Sequence, residues 1–123
     1  PLLPPAMRVP VATGMPLVSI ALSLTLGVWL LPRLGPVGVA QTGFALAALA
    51  APGLLAGPAG MAVAALALAG ALGLVQGASF AAIPALNDGP EDRARAAGAV
   101  AQLGNVGTTT GTPLLAALVA GFG

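Results

Sequence analysis

The sequence predicts an all-α, polytopic membrane protein with about four transmembrane helices, and three observations carry that reading. From Leu34 to Asn87 the chain runs 54 residues without a charged side chain. Two further charge-free runs follow the same pattern: Val9 to Pro32, 24 residues, and Ala96 to Gly123, 28 residues. Across all 123 residues the only charged side chains are Arg8, Arg33, Asp88, Glu91, Asp92, Arg93 and Arg95. A spanning helix needs about 20 predominantly apolar residues, so the longest run holds two crossings with a turn between them. Helices suit such a run because each satisfies its own backbone polar groups where water is absent. The alternation of a membrane barrel strand is missing. Ala, Gly and Leu dominate instead, and glycine is commoner in membrane helices than in soluble ones.

Residues 1–10 hold four prolines and one arginine and read as a linker or the end of a preceding loop. The first helix is expected over 11–31, with Pro16 in its first turns, where a missing N–H costs least. Pro32-Arg33-Leu34-Gly35-Pro36 punctuates the chain as a short turn. Trp29, just before it, has the character of an interfacial indole. The second helix covers 37–56; Pro52-Gly53 and Gly57-Pro58-Ala59-Gly60 weaken its end and form an uncharged turn. The third covers 61–86, with Pro84 near its end. Residues 87–93 then form the one strongly polar loop, in which Asp88 and Glu91 fit a capping box for the fourth helix, over 93–121. Asp92 also lies near the positive end of that helix dipole.

Arginine placement orients the bundle. Four crossings put the 32–36 turn and the 87–93 loop on one side, with Arg33, Arg93 and Arg95, and leave Arg8 alone on the other. The bias makes the Arg33 and Glu91–Arg95 loops cytoplasmic in a multi-pass cell-membrane protein. The chain opens on Pro1 and stops within apolar sequence, so the simplest reading is a piece of a longer protein, with 1–123 a partial transmembrane domain.

Polar residues inside the apolar runs are the functional candidates. Gln102, Asn105, Thr109 and Thr112 are spaced 3, 4 and 3 apart and share one helical face. Gly104, Gly107 and Gly111 share a roughly opposite face. In the third helix Gly73 and Gly77 repeat the small-residue spacing of membrane helix pairs, with Gln76 and Ser79 to another side. Gln76, Gln102, Asn105 and Thr109 either line a substrate path or hydrogen-bond between helices as structural glue; polar groups in a bilayer face a bundle interior or a wet cavity in both cases. The Thr108–Thr110 run proves less, since threonine bonds its own helix one turn back. The glycines read as packing positions. Pro84 and Pro113 are either hinges or tolerated kinks.

Composition argues against other classes. With no His, Cys or Tyr, and with all three carboxylates at one helix start, no catalytic arrangement presents itself, so an enzyme is not expected. No metal site is expected, and without Lys there is no phosphate-binding loop of the Gly-Lys type, so no cofactor is either. Four basic against three acidic groups make no basic surface for nucleic acid. No ionisable residue lies inside a predicted span, so ion or proton coupling would be carried elsewhere in a larger protein.

Three stretches together resemble a transporter of the major facilitator superfamily. Leu31-Pro32-Arg33-Leu34-Gly35-Pro36-Val37 is similar to a degenerate form of that family's Gly- and Arg-containing cytoplasmic loop. Gly73-Leu74-Val75-Gln76-Gly77-Ala78-Ser79-Phe80-Ala81-Ala82-Ile83-Pro84 looks like its fourth or tenth helix. Pro90-Glu91-Asp92-Arg93-Ala94-Arg95-Ala96, followed by Gly98 and by Gly104 through Leu114, resembles the next loop and the fifth or eleventh helix. The first loop lacks the family's Asp and following basic pair, and Thr112 stands between Gly111 and Pro113 where the family has Gly-Pro. Both departures favour helices eight to eleven, in the C-terminal half. The resemblance implies a secondary transporter of about twelve helices that moves a small solute or drug-like molecule by rocking two bundles around a central site. Its partners would be the lipid bilayer, the remaining helices and that substrate. The alternative is a non-transporting four-helix membrane subunit or assembly module; a membrane-embedded enzyme would need catalytic residues from outside this segment.

Overall fold

A computed structural model describes residues 3–122, nearly all of them in helices or the short joints between helices, with no strand among the described residues. In order these are α1 (Pro5–Leu22), a π-helical turn (Ser23–Gly27), α2 (Val28–Ala50), a 3₁₀ turn (Ala51–Leu55), α3 (Gly57–Leu86) and α4 (Pro90–Phe122). Pro5–Leu55 and Gly57–Leu86, 51 and 30 residues, are long and apolar enough to cross a membrane. The chain divides into two units, Pro1–Ala82 and Ile83–Gly123, with the boundary inside α3 just before Pro84.

In the first unit the helix starts earlier than proline content suggests. Pro5 occupies the first turn, where a fixed φ and absent N–H suit a helix start, and Pro10 and Pro16 lie farther in. The helix then continues past Pro32 and Arg33. The expected five-residue turn is a break at one residue, Gly35, with φ 67° and ψ 171°. That conformation is open to glycine and penalised for residues with a Cβ. Pro36 follows it, where the preset φ starts the helix again. The helix over 37–56 is helical to Ala50, tightens to 3₁₀ over Ala51–Leu55, and ends at Gly57, whose φ of 81° turns the chain into α3.

Close approaches give the packing of this unit. Positions that face each other rise together in α1 and α3: Gly14 lies against Leu66, Leu22 against Gly70, Ser19 against Gly73 and Ser23 against Gly77. The two are therefore parallel. The second half of α2 pairs with α3 in the opposite sense, Gly43 against Ala71 and Val75, and Gly53 against Ala64. A hairpin thus returns α3 alongside α1. Val39, Leu74 and Ala78 form the buried cluster where the three meet, with Leu22, Leu26, Leu30 and Leu31 packed on it. Among the described residues no polar or charged side chain is buried, while large apolar ones such as Leu24, Val28, Phe44, Leu49 and Leu55 lie exposed.

In the second unit α3 ends at Leu86, and the Asn87 amide donates to the Ile83 carbonyl one turn back (2.8 Å). Arg93 Nε donates to the Asn87 carbonyl (2.9 Å), bracing the loop. The Arg93 N–H bonds the Gly89 carbonyl (3.1 Å), so Gly89 takes the N-cap position and Pro90 the first helical one. The expected capping box of Asp88 and Glu91 is not formed, since Pro90 starts the helix where its ring geometry already fits and leaves Gly89, without a side chain, at the N-cap. Glu91 and Asp92 still fall in the first turn, and Arg95 pairs with Glu91 at 2.6 Å.

Candidate functional site

Two features of the first unit place polar groups at one spot. Ser19 and Ser23 are one turn apart on α1 and its π-helical continuation. Gly73 and Gly77 are one turn apart on α3. The two pairs lie face to face. A Cβ at Gly73 would run into the Ser19 carbonyl and hydroxyl, and one at Gly77 into the Ser23 hydroxyl. The glycines thus let a helix carrying serines come to backbone contact, where each serine oxygen lies against α3.

Beside this seam opens a groove of about 270 Å³, lined by both serines and glycines with Gln76, and by Ile20, Leu24 and Phe80. Gln76 is exposed, and the two serines are half-buried. Among the described residues the side chains of Gln76, Ser19 and Ser23 make no hydrogen bond within the chain, unlike the other hydroxyls nearby. The Thr25 hydroxyl donates to the Ala21 carbonyl (2.6 Å), that of Thr42 to Gly38 (2.8 Å), and that of Ser79 to Val75 (2.8 Å). Those three are satisfied by their own helix one turn back. The groove therefore offers an amide and two hydroxyls, and no charged side chain lines it.

A second groove of about 240 Å³ shares Ser23, Leu24 and Gly77 with the first and continues along Val28, Leu31 and Val39. Its wall is apolar apart from Ser23. A third depression, at Leu49, Gly53, Gly60 and Val63, carries no polar side chain.

Of the residues singled out from sequence, Gln76, Gly73 and Gly77 come together here. Gln102, Asn105 and Thr109 belong to the second unit, where each is exposed on α4. Thr108 and Thr110 bond back to the Gly104 and Val106 carbonyls (3.0 and 2.7 Å). A Cβ at Gly104, Gly107 or Gly111 meets nothing within 4 Å among the described residues. At the end of the first helical run, Arg33 stacks on Trp29, 3.9 Å from guanidinium to ring centroid, and donates to the Trp29 carbonyl (2.5 Å).

Sequence reading missed Ser19 and Ser23. A signal for them exists: a serine pair and a glycine pair of identical four-residue spacing sit in two helices made parallel by the two reversals at Gly35 and Gly57. Neither pair alone points to the other.

The arrangement defines a helical protein with two stretches fit to cross a membrane and a small uncharged hydrogen-bonding groove between its first and third helical segments. No protein-family model, curated protein or solved structure matches the chain.

Proposed function

We propose that this chain is part of a multi-pass membrane transporter of the major facilitator type, contributing four crossings and moving a small solute or drug-like molecule by alternating access. One observation carries the reading. Within helices whose outward side chains are overwhelmingly apolar, Ser19, Ser23 and Gln76 gather on one groove without partners in the chain. Polar groups in a lipid-facing protein are placed toward wet cavities or other helices, and mark paths for solutes. The ordered resemblance of the 31–37, 73–84 and 90–114 stretches to helices eight to eleven of that family supports the same reading. The exposed apolar side chains support the membrane location, since soluble monomers rarely expose apolar patches beyond a few hundred Å².

In this topology the Gly35 break and the Asn87–Arg93 loop face the cytoplasm, and the Gly57 turn faces the other side. Gln76 lines the groove of the first unit, while Gln102, Asn105 and Thr109 of α4 are proposed for the path on their shared helical face alone. Gly104, Gly107 and Gly111 seat α4 on helices outside this segment.

Two experiments test the proposal. Extending the coding sequence in both directions should reveal roughly seven spans before this segment and one after it; a natural start and stop close to Pro1 and Gly123 would leave a four-helix subunit instead. Transport by the full-length protein should fall for Gln76→Ala, Gln102→Ala and Asn105→Ala. Unchanged uptake and efflux at normal expression would remove those residues from the path.

A further inference from the structure

We infer that the ligand of this chain is an uncharged amphiphile, whose hydroxyl or amide group binds Ser19, Ser23 and Gln76 and whose apolar body lies along the adjoining groove toward Leu31 and Val39. The inference rests on the transporter reading and adds to it the chemistry of the ligand and two binding residues on the first helix.

Three observations carry it. The two grooves share Ser23, Leu24 and Gly77, so they form one track with a polar end and an apolar end. At about 270 and 240 Å³ each lies below the ~300 Å³ at which drug-sized pockets begin; joined, they reach that range. Second, the junction coincides with the π-helical turn Ser23–Gly27, the one place where the first helix departs from α geometry before Gly35. Such a turn carries an extra residue and widens the helix, and single π turns are frequent at functional sites. Its local bonding is otherwise taken up, as the Thr25 hydroxyl caps the Ala21 carbonyl. Ser23 itself lines both grooves, and its hydroxyl makes no hydrogen bond within the chain among the described residues.

Third, the donor set is selective. Two hydroxyls and an amide both donate and accept, so they match an alcohol or amide. Nothing lining the track neutralises a charge. An ionised ligand here would lose hydration with no counter-charge to replace it, a penalty far above that of a neutral polar group.

The test uses the full-length protein in proteoliposomes and three photoreactive probes sharing one ten-carbon diazirine chain: a primary alcohol, the matched carboxylate, and the matched alkane. The expected result is saturable alcohol labelling of the segments 19–31 and 73–80, with the carboxylate and alkane failing to compete. Ser23→Ala and Gln76→Met should each weaken that labelling about fivefold, the loss of roughly one hydrogen bond. Ser23→Ala removes only an oxygen from the seam, so it keeps the packing and guards against misfolding in the larger change. Equal saturable labelling by the carboxylate or the alkane would overturn the inference. So would an unlabelled track, which would mean that another helix of the protein covers it. The two proposals fail separately. Saturable alcohol labelling without alcohol counterflow supports the site and sinks transport. Transport confined to charged molecules, with the track unlabelled, keeps transport and sinks the amphiphile.

Discussion

α3 and α4 carry the same device, glycines one turn apart along a helix, and the structure treats them differently. At Gly73 and Gly77 the space that a side chain would fill is taken by Ser19 and Ser23. At Gly104, Gly107 and Gly111 that space is open to 4 Å among the described residues. The difference lies in what stands opposite, and the glycine spacing itself is silent on that. The turn at Gly57 brings α3 back alongside α1, which carries small polar residues in matching register. A small-residue stripe therefore states that close approach is affordable, and the partner's sequence states whether it happens.

The largest effect should come from filling the occupied seam. Gly73→Leu drives a side chain into the Ser19 carbonyl, which is backbone and cannot rotate aside. Overpacking of this kind costs about 1–3 kcal/mol or more, so thermal unfolding of the full-length protein in detergent should shift clearly downward. An unchanged midpoint would mean the seam is not formed.

A smaller loss is expected from Gly107→Leu. Nothing in the described residues opposes the new side chain, and leucine favours helix over glycine by somewhat under 1 kcal/mol. Under the transporter reading a helix outside this segment seats on the stripe, so the midpoint should still fall, by less than for Gly73→Leu. A rise in the midpoint would place the stripe against lipid and remove it from helix packing.

The sequence made some of this legible and hid the rest for physical reasons. An all-helical chain followed from charge-free runs too long for strands, and the helix ends near Gly35, Gly57 and Leu86 followed from Gly and Pro punctuation. The start at Pro5 did not. Proline weighs against helix in a composition count, while in the first turn it costs almost nothing. The π turn at Ser23–Gly27 was invisible, because Ser-Leu-Thr-Leu-Gly reads as ordinary apolar helix. Gln76 stood out as the one amide in α3. Its companions Ser19 and Ser23 did not, since a lone serine in a membrane helix is commonly satisfied by its own backbone, as Ser79 is.

The smallest effect should come from the helix end beside Gly35. Arg33→Ala removes the stacking on Trp29 and the bond to its carbonyl, both on an exposed surface. Such contacts are worth about 0.5–1 kcal/mol, well below the seam. Trp29 is the only tryptophan of these 123 residues, and with any tryptophan elsewhere in the full-length protein replaced, its emission reports the change. An emission spectrum identical to that of the unsubstituted protein would mean that the guanidinium does not sit on the ring.

The most direct test of the α1–α3 seam is a disulfide across it. A Cβ at position 77 would lie 3.7 Å from that of Ser23. Disulfides join Cβ atoms about 3.5–4.5 Å apart, and these 123 residues hold no cysteine, so the pair is introduced into a full-length protein whose other cysteines, where it has any, are replaced. In Ser23→Cys/Gly77→Cys the sulfur replaces the hydroxyl that would otherwise obstruct position 77. Mild oxidation should consume both thiols in one intramolecular step, read as the loss of two maleimide additions by intact mass. Two thiols that stay fully reactive in the folded full-length protein would contradict the seam, and with it the groove on which Ser19, Ser23 and Gln76 meet.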